Sequence, residues 1–112
     1  QNQSFTFKSN FNYVEGLEID SDVSIAGISI GKVTKLELIN KKVIVHAFIK
    51  ENYKIPLDSI ITIRSDGIFG KKSLLIEPGF GDLINQRDYV FTNTKDSYSL
   101  DMFLRYLNNL NE

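Results

Sequence analysis

The run Asp22–Ile39, DVSIAGISIGKVTKLELI, decides the fold. Val23 and Ile25, then Ile28 and Ile30, then Leu36 and Leu38 recur at every second position, the last pair alternating with Lys35 and Glu37. Successive side chains of a strand point to opposite faces, so a period of two describes β-strands with one apolar face and not a helix. Gly27 and Gly31 interrupt the pattern and mark bends or bulges inside strand-forming sequence.

The same alternation extends in both directions. In SFTFKSNF, Phe5, Phe7 and Phe11 share one face with Ser9 as the exception, while Thr6, Lys8 and Asn10 take the other. In KKVIVHAFIK, Val43, Val45, Ala47 and Ile49 share a face, and Ile44, His46 and Phe48 lie opposite. SIITIRS, SLLIEP and DYVFTN are three further β-rich runs, separated by DGIFGKK and GFGDLINQR, which carry turn chemistry. Six or seven short strands at this spacing imply an all-β sandwich or small barrel, with closure favoured because it removes exposed edges. Only the tail differs. In SLDMFLRYLNNL, Leu100, Phe103, Leu104, Leu107 and Leu110 fall at steps of three and four. That spacing predicts an amphipathic helix of about three turns, with Ser97 or Ser99 as its N-cap.

A chain of 112 residues suits one domain with one core. Thirteen basic and fourteen acidic side chains give a net charge of −1, leaving no positive excess to hold nucleic acid by counterion release. The lack of cysteine excludes a disulfide framework, a thiolate nucleophile and cysteine-based zinc sites. No run of about 18 or more apolar residues reads as a membrane span. The start at Gln1 leads to the expectation that a segment upstream has been removed.

Most candidate chemistry reduces to structure. His46 is the only histidine, lies in a strand pattern and has no cysteine or second imidazole to complete a site, so it is read as structural. GISIGKVT and GIFGKKS hold three and two residues between their glycines, too few for a P-loop, and both lead into β-rich sequence instead of a phosphate-binding helix. EIDSDV presents Glu18, Asp20 and Asp22 at alternate positions, but Val23 and Ser29 stand where an EF-hand loop needs Gly and Glu. Lys41–Lys42 and Lys71–Lys72 read as turn charges that protect strand edges. Without a recognisable nucleophile–base pair, no enzymatic activity, cofactor or metal is expected.

Two features remain. The connection Arg64–Ser73, RSDGIFGKKS, holds Ile68 and Phe69 between Gly67 and Gly70 in an otherwise charged turn. The pair is either folded inward over a barrel end or shown to something apolar outside, and a tight turn between glycines favours the outward arrangement. The helix stripe Leu100, Phe103, Leu104 and Leu107 either packs on the barrel or meets other copies of the chain.

FNYVEGLEIDSDVSIAGISIGKVTKLEL followed by KIPLDSIITIRSDGIFGKKSLLIEPG resembles the MCE domain, of the MlaD type found in Gram-negative bacteria, over about Phe5 to Thr94. The resemblance rests on Gly16-Leu17, Val23 through Ile25 to Gly27, Gly31-Lys32-Val33, Ile55-Pro56, and Gly67 with Gly70, in that order and spacing. It implies a small seven-stranded β-barrel at residues 4–94, followed by a short helix and tail at 95–112. It further implies a homohexameric ring on the periplasmic side of the inner membrane, tethered by an N-terminal helix that this chain lacks. Such a ring is the lipid-binding subunit of an ABC-type phospholipid transporter; its partners would be a permease, an ATPase and a periplasmic lipid carrier. In that family the loop matching Gly67 to Gly70 brings apolar residues, commonly a leucine pair, to a central pore; here those positions are Ile68 and Phe69. The tail is similar to the helix that extends the ring. A barrel of this size is filled by its own side chains, so a lipid path would run between subunits. The alternative is a β-sandwich interaction or adhesion module in which Ile68 and Phe69 anchor a protein partner. A lipid hydrolase ranks third.

Overall fold

A computed structural model of the protein describes residues 5–50, 53–65, 70–95 and 100–110, and within the last span not the side chains at positions 100–103 and 106. The described elements are β1 (Phe5–Phe11), β2 (Asp22–Ile25), β3 (Ile28–Ile39), β4 (Lys42–Ile49), β5 (Ile60–Ser65), β6 (Lys72–Glu77), β7 (Tyr89–Phe91), β8 (Thr94–Lys95) and α1 (Leu100–Leu110). The strands form a single sheet in the order β7-β1-β4-β3-β2-β6-β5-β8.

The opening stretch becomes β2, a tight turn and β3. Ala26 and Gly27 both take positive φ, 51° and 85°, as do Asn40 and Lys41, 49° and 67°, at the next turn. Two central residues of positive φ are what a type I′ hairpin requires, and its twist matches that of the strands it joins. β3 carries two bulges. Against β2, Val23 pairs with Gly31 but Ser24 pairs with Ser29, leaving Ile30 extra; against β4, Val33 pairs with Ala47 but Lys35 pairs with His46, leaving Thr34 extra. Each extra residue bends the strand and raises its twist, which is how a sheet curls towards closure. Gly31 sits between them where a Cβ would fall 1.9 Å from the Phe48 carbonyl oxygen.

Closure itself comes from the last β-rich run. β7 pairs in parallel with β1 (Phe7 with Tyr89), and β8 pairs in parallel with β5 (Ile61 with Thr94). One short stretch of chain therefore bridges both edges of the sheet. Within it the Ile61 amide donates to the Asn93 carbonyl (3.1 Å), and Thr94 Oγ1 donates to the Asn10 carbonyl (2.6 Å). The run expected as a seventh strand is thus split into β7 and β8, because its hydrogen-bonding partner changes at Thr92–Asn93. The result is an all-β, nearly closed barrel with a short C-terminal helix.

Phe7, Phe11, Val23, Ile30, Val33, Val45, Ile49, Ile61, Leu74, Ile76 and Phe91 fill the interior and are essentially inaccessible. Phe91 packs edge-on against Phe7 (centroids 5.5 Å apart) and Tyr89 (4.9 Å), so the closing segment is held by aromatic contacts as well as by the ladder. Ser9, the exception in the β1 pattern, is also fully buried, and its Oγ finds no hydrogen-bond partner among the described residues.

Gly31→Ala is expected to destabilise the barrel by about 2 kcal/mol or more, because the added carbon meets backbone. Gly27→Ala, which meets nothing within 4 Å but keeps a positive φ, should cost about 1 kcal/mol. Denaturant midpoints of the two variants check this; an equal or milder effect at Gly31 would contradict the close approach of β3 to β4.

Candidate functional site

Strand direction sorts the loops into two ends. β3 and β5 run the same way, since β2 is antiparallel to β3, parallel to β6, and β6 is antiparallel to β5. The β3–β4 turn and the connection from Ser65 to Lys72 consequently lie at one end, here called the hairpin end. β8 is parallel to β5, so the chain also leaves the barrel towards the hairpin end before α1 begins. The Ala26–Gly27 turn and the 79–88 segment occupy the opposite end.

Ile68 and Phe69 lie outside the described residues. Arg64, exposed, is on one side of their connection and Gly70 with exposed Lys71 on the other. The helix is present over Leu100–Leu110, which puts Leu100, Phe103, Leu104 and Leu107 at helical spacing. The side chains of Leu100 and Phe103 are outside the described set. Leu104 and Leu107 are 47% and 39% exposed, and Leu110 more so. Every helix side chain that is described is exposed. Among the described residues of the stripe, Leu104 and Leu107 are therefore not covered by the barrel.

The outer wall carries His46, which faces Glu37 across the β3–β4 ladder at 2.5 Å (Nε2 to Oε1). The His46 hydrogen bond, then that of Lys35, holds the Glu37 carboxyl below its ordinary value. Asp22 is likewise held low by Lys32, 2.8 Å away. Both are strand-surface pairings that reinforce neighbouring strands, and Asp22 and Lys32 also line a polar cleft of about 340 Å³ together with Glu18, Asp20 and Lys72.

The opposite end holds features that the sequence patterns did not single out. Segments 55–59 and 79–84 are zipped together: Leu57 N donates to Asp82 O (2.7 Å), Ile84 N to Ile55 O (2.8 Å), and Gly79 N to Ser59 Oγ (3.2 Å). Asp58 caps the turn, its carboxylate accepting from Gly81 N at 2.8 Å and Phe80 N at 3.1 Å. These donors, Gly81 first, hold its carboxyl below the usual range. The capped turn projects Phe80 completely into solvent, at 101% of its reference exposure. Beside it, a cleft of about 400 Å³ is lined by Phe5, Tyr53, Ile55, Leu83 and Ile84, with Lys54 and Arg87 as its charged residues. The available signal was local: Gly79-Phe80-Gly81 is a second aromatic held between glycines, like Ile68–Phe69, inside a run read only as a turn.

A family model described as MlaD protein matches residues 3–79. The chain belongs to the MlaD family. It is 28% identical over 85 residues to the intermembrane phospholipid transport system binding protein MlaD of Haemophilus influenzae, covering 73% of this chain and 51% of that protein. The protein of the same description from Escherichia coli K12 is 33% identical over 82 residues, covering 70% of this chain and 45% of its own length. The chain therefore spans about half the length of the curated relatives it matches. A chain of the Acinetobacter MlaFEDB complex in its ATP-bound Vtrans1 conformation superposes with a TM-score of 0.82 at 18% identity, over 94% of this chain and 81% of that one. At that identity the likeness speaks for the fold alone, and it agrees with the barrel and helix described above. The MlaD match also explains why the motif residues are where they are: Leu17, Val23, Val33 and Ile55 are core, and Pro56 bridges to Leu83.

Two outcomes follow for these elements. Deletion from residue 97 onwards should leave the barrel folded, with a midpoint change of about 0.5 kcal/mol or less under conditions where the protein is monomeric, because the described helix side chains are exposed; loss of the barrel's near-ultraviolet signal would show that the helix is part of the core. For Asp58, a depressed folded-state value means that its contribution is complete above the ordinary carboxylate range and is lost as the pH falls through the folded value. Amide signals of Phe80 and Gly81 should therefore move with an acidic titration, and Asp58→Asn should abolish that movement.

Proposed function

We propose that this chain is the lipid-binding barrel of a subunit in an ABC-type phospholipid transport system, has no enzymatic activity of its own, and forms a homohexameric ring around an apolar central pore. The observation that carries this reading is the exposure of Leu104, Leu107 and Leu110 on α1, which follows a strand running towards the same end as the Ile68–Phe69 connection. The barrel interior is occupied by its own side chains, so a lipid path has to pass outside it. Copies arranged around an axis would join Ile68 and Phe69, and then the helix leucines, into one apolar lining. The printed descriptions of the MlaD relatives, intermembrane phospholipid transport system binding proteins, support the substrate class.

The ring would sit on the periplasmic side of the inner membrane, held by an N-terminal helix upstream of Gln1. It would receive or deliver lipid through permease and ATPase subunits on one side and a soluble periplasmic carrier on the other. The interaction-module alternative assumed two packed sheets, whereas the strands form one sheet closing on itself.

Energetics suit passage better than storage. Burying one large apolar side chain is worth about 1.5–3 kcal/mol, and each lipid methylene removed from water about 0.8 kcal/mol. A ring of paired apolar residues offsets part of the cost of a tail leaving the bilayer without holding it permanently. Replacing Ile68 and Phe69 together with Asn is expected to abolish phospholipid transfer in a reconstituted system while changing folding stability by about 0.5 kcal/mol or less. A loss of several kcal/mol instead would make the pair core residues and remove them from any lipid path.

A further inference from the structure

Phe80 is the most exposed large apolar side chain among the described residues, and it stands on a turn stiffened by the Asp58 cap. A lone aromatic displayed so fully is unusual for a group that gains most of its free energy by leaving water. The cleft lined by Phe5, Tyr53, Ile55, Leu83 and Ile84 is its chemical counterpart: apolar walls, open to solvent, and large enough for a ring. Phe80 does not fill the cleft of its own chain, because it is wholly exposed.

The charges around the two features are opposite. Asp82 is exposed two residues beyond Phe80. Lys54 and Arg87, both exposed, are the charged residues lining the cleft, and both are basic. The other acids nearby are already engaged: Glu77 accepts from Thr62 Oγ1 and lies near Lys95, Asp58 caps the turn, and Asp88 accepts from Thr6 Oγ1 at 2.6 Å.

The two features also occupy different positions on one rim. Phe80 follows β6, whereas the cleft lies between the start of β1 and the segment that enters β7. From β6 past β5 to the closing segment is two strand spacings, about 10 Å. In a ring, as the reading above requires, a knob and a hole on separate parts of one surface are not exchanged across a two-fold axis. They join successive copies head to tail, the contact that generates rings when the rotation closes.

We propose that Phe80 of one copy seats in the Tyr53–Ile55–Leu83–Ile84 cleft of the next, with Asp82 set against Lys54 and Arg87 of that neighbour. This rests on the ring reading above and names the contact between its subunits at the end of the barrel opposite the Ile68–Phe69 connection. Exclusion of water around a central aromatic anchor makes Phe80 the dominant residue of the contact, and the charge pairs set its direction.

Native mass spectrometry and sedimentation of the protein test it. The unmodified protein is expected to assemble, and Phe80→Ala to raise the concentration of half-dissociation at least about tenfold with an unchanged far-ultraviolet spectrum. Asp82→Lys and the double variant Lys54→Asp/Arg87→Asp should each weaken assembly alone, since each sets like charges together. Mixed in equal amounts they should reassemble as an alternating oligomer, because every contact then pairs opposite charges again. Assembly that survives Phe80→Ala, or a mixture that fails to reassemble, overturns the contact while leaving the ring reading intact. The contact is equally overturned if Phe80→Ala spares assembly but abolishes binding to phosphatidylethanolamine–phosphatidylglycerol vesicles, which would make this rim a membrane-facing surface. An unmodified protein that is monomeric at every concentration overturns the ring reading and the contact together.

Discussion

Everything in this fold depends on the seven residues Tyr89–Lys95 reaching both edges of the sheet. β1 and β5 have the same direction but no direct ladder between them, and without the bridging segment each would present a row of unpaired backbone groups to solvent. β7 satisfies one edge, β8 the other, and the switch is made within Thr92–Asn93. Phe91, between the two, is buried against Phe7 and ties the closure to the core. Closing a sheet this small leaves an interior that only side chains can occupy. That constraint pushes every ligand-binding role out to the two ends of the barrel and to the tail.

The ends are built differently. At the hairpin end, α1 follows the barrel with Leu104, Leu107 and Leu110 exposed. At the opposite end, segments 55–59 and 79–84 are locked by backbone hydrogen bonds, by Ser59 and by the Asp58 cap. A rim held rigidly is suited to a permanent contact between subunits, since little order remains to be lost on association. An end that presents exposed leucines is suited to an apolar ligand that must arrive and leave. The two proposals therefore assign assembly and lipid passage to opposite ends of one barrel, and the core separates them.

The MlaD motif residues turn out to be fold determinants more than site residues. Gly27 makes the β2–β3 turn, Gly31 admits the Phe48 carbonyl, and Leu17, Val23, Val33 and Ile55 are buried. Similarity carried by such positions identifies the scaffold. Such positions do not specify the surface, where Phe80 stands fully exposed.

The sequence by itself determined the strands, their inward faces and the helix, because period-two and period-three-to-four apolar patterns are local consequences of backbone geometry. It pointed to the Ile68–Phe69 connection and the leucine stripe for the same reason: apolar residues in a turn or on one helix face are visible without knowing their neighbours. Only the tertiary structure decided that the final run splits between two partners, that Ser9 is buried despite being polar, that the described helix leucines are not covered by the barrel, and that Phe80 stands near a basic-rimmed cleft. Each of these depends on residues far apart in the chain, Asn10 with Thr94, Asp58 with Gly81, Phe5 with Ile84, and pairings over such distances are set by which packing closes the barrel and not by any pattern within a single segment.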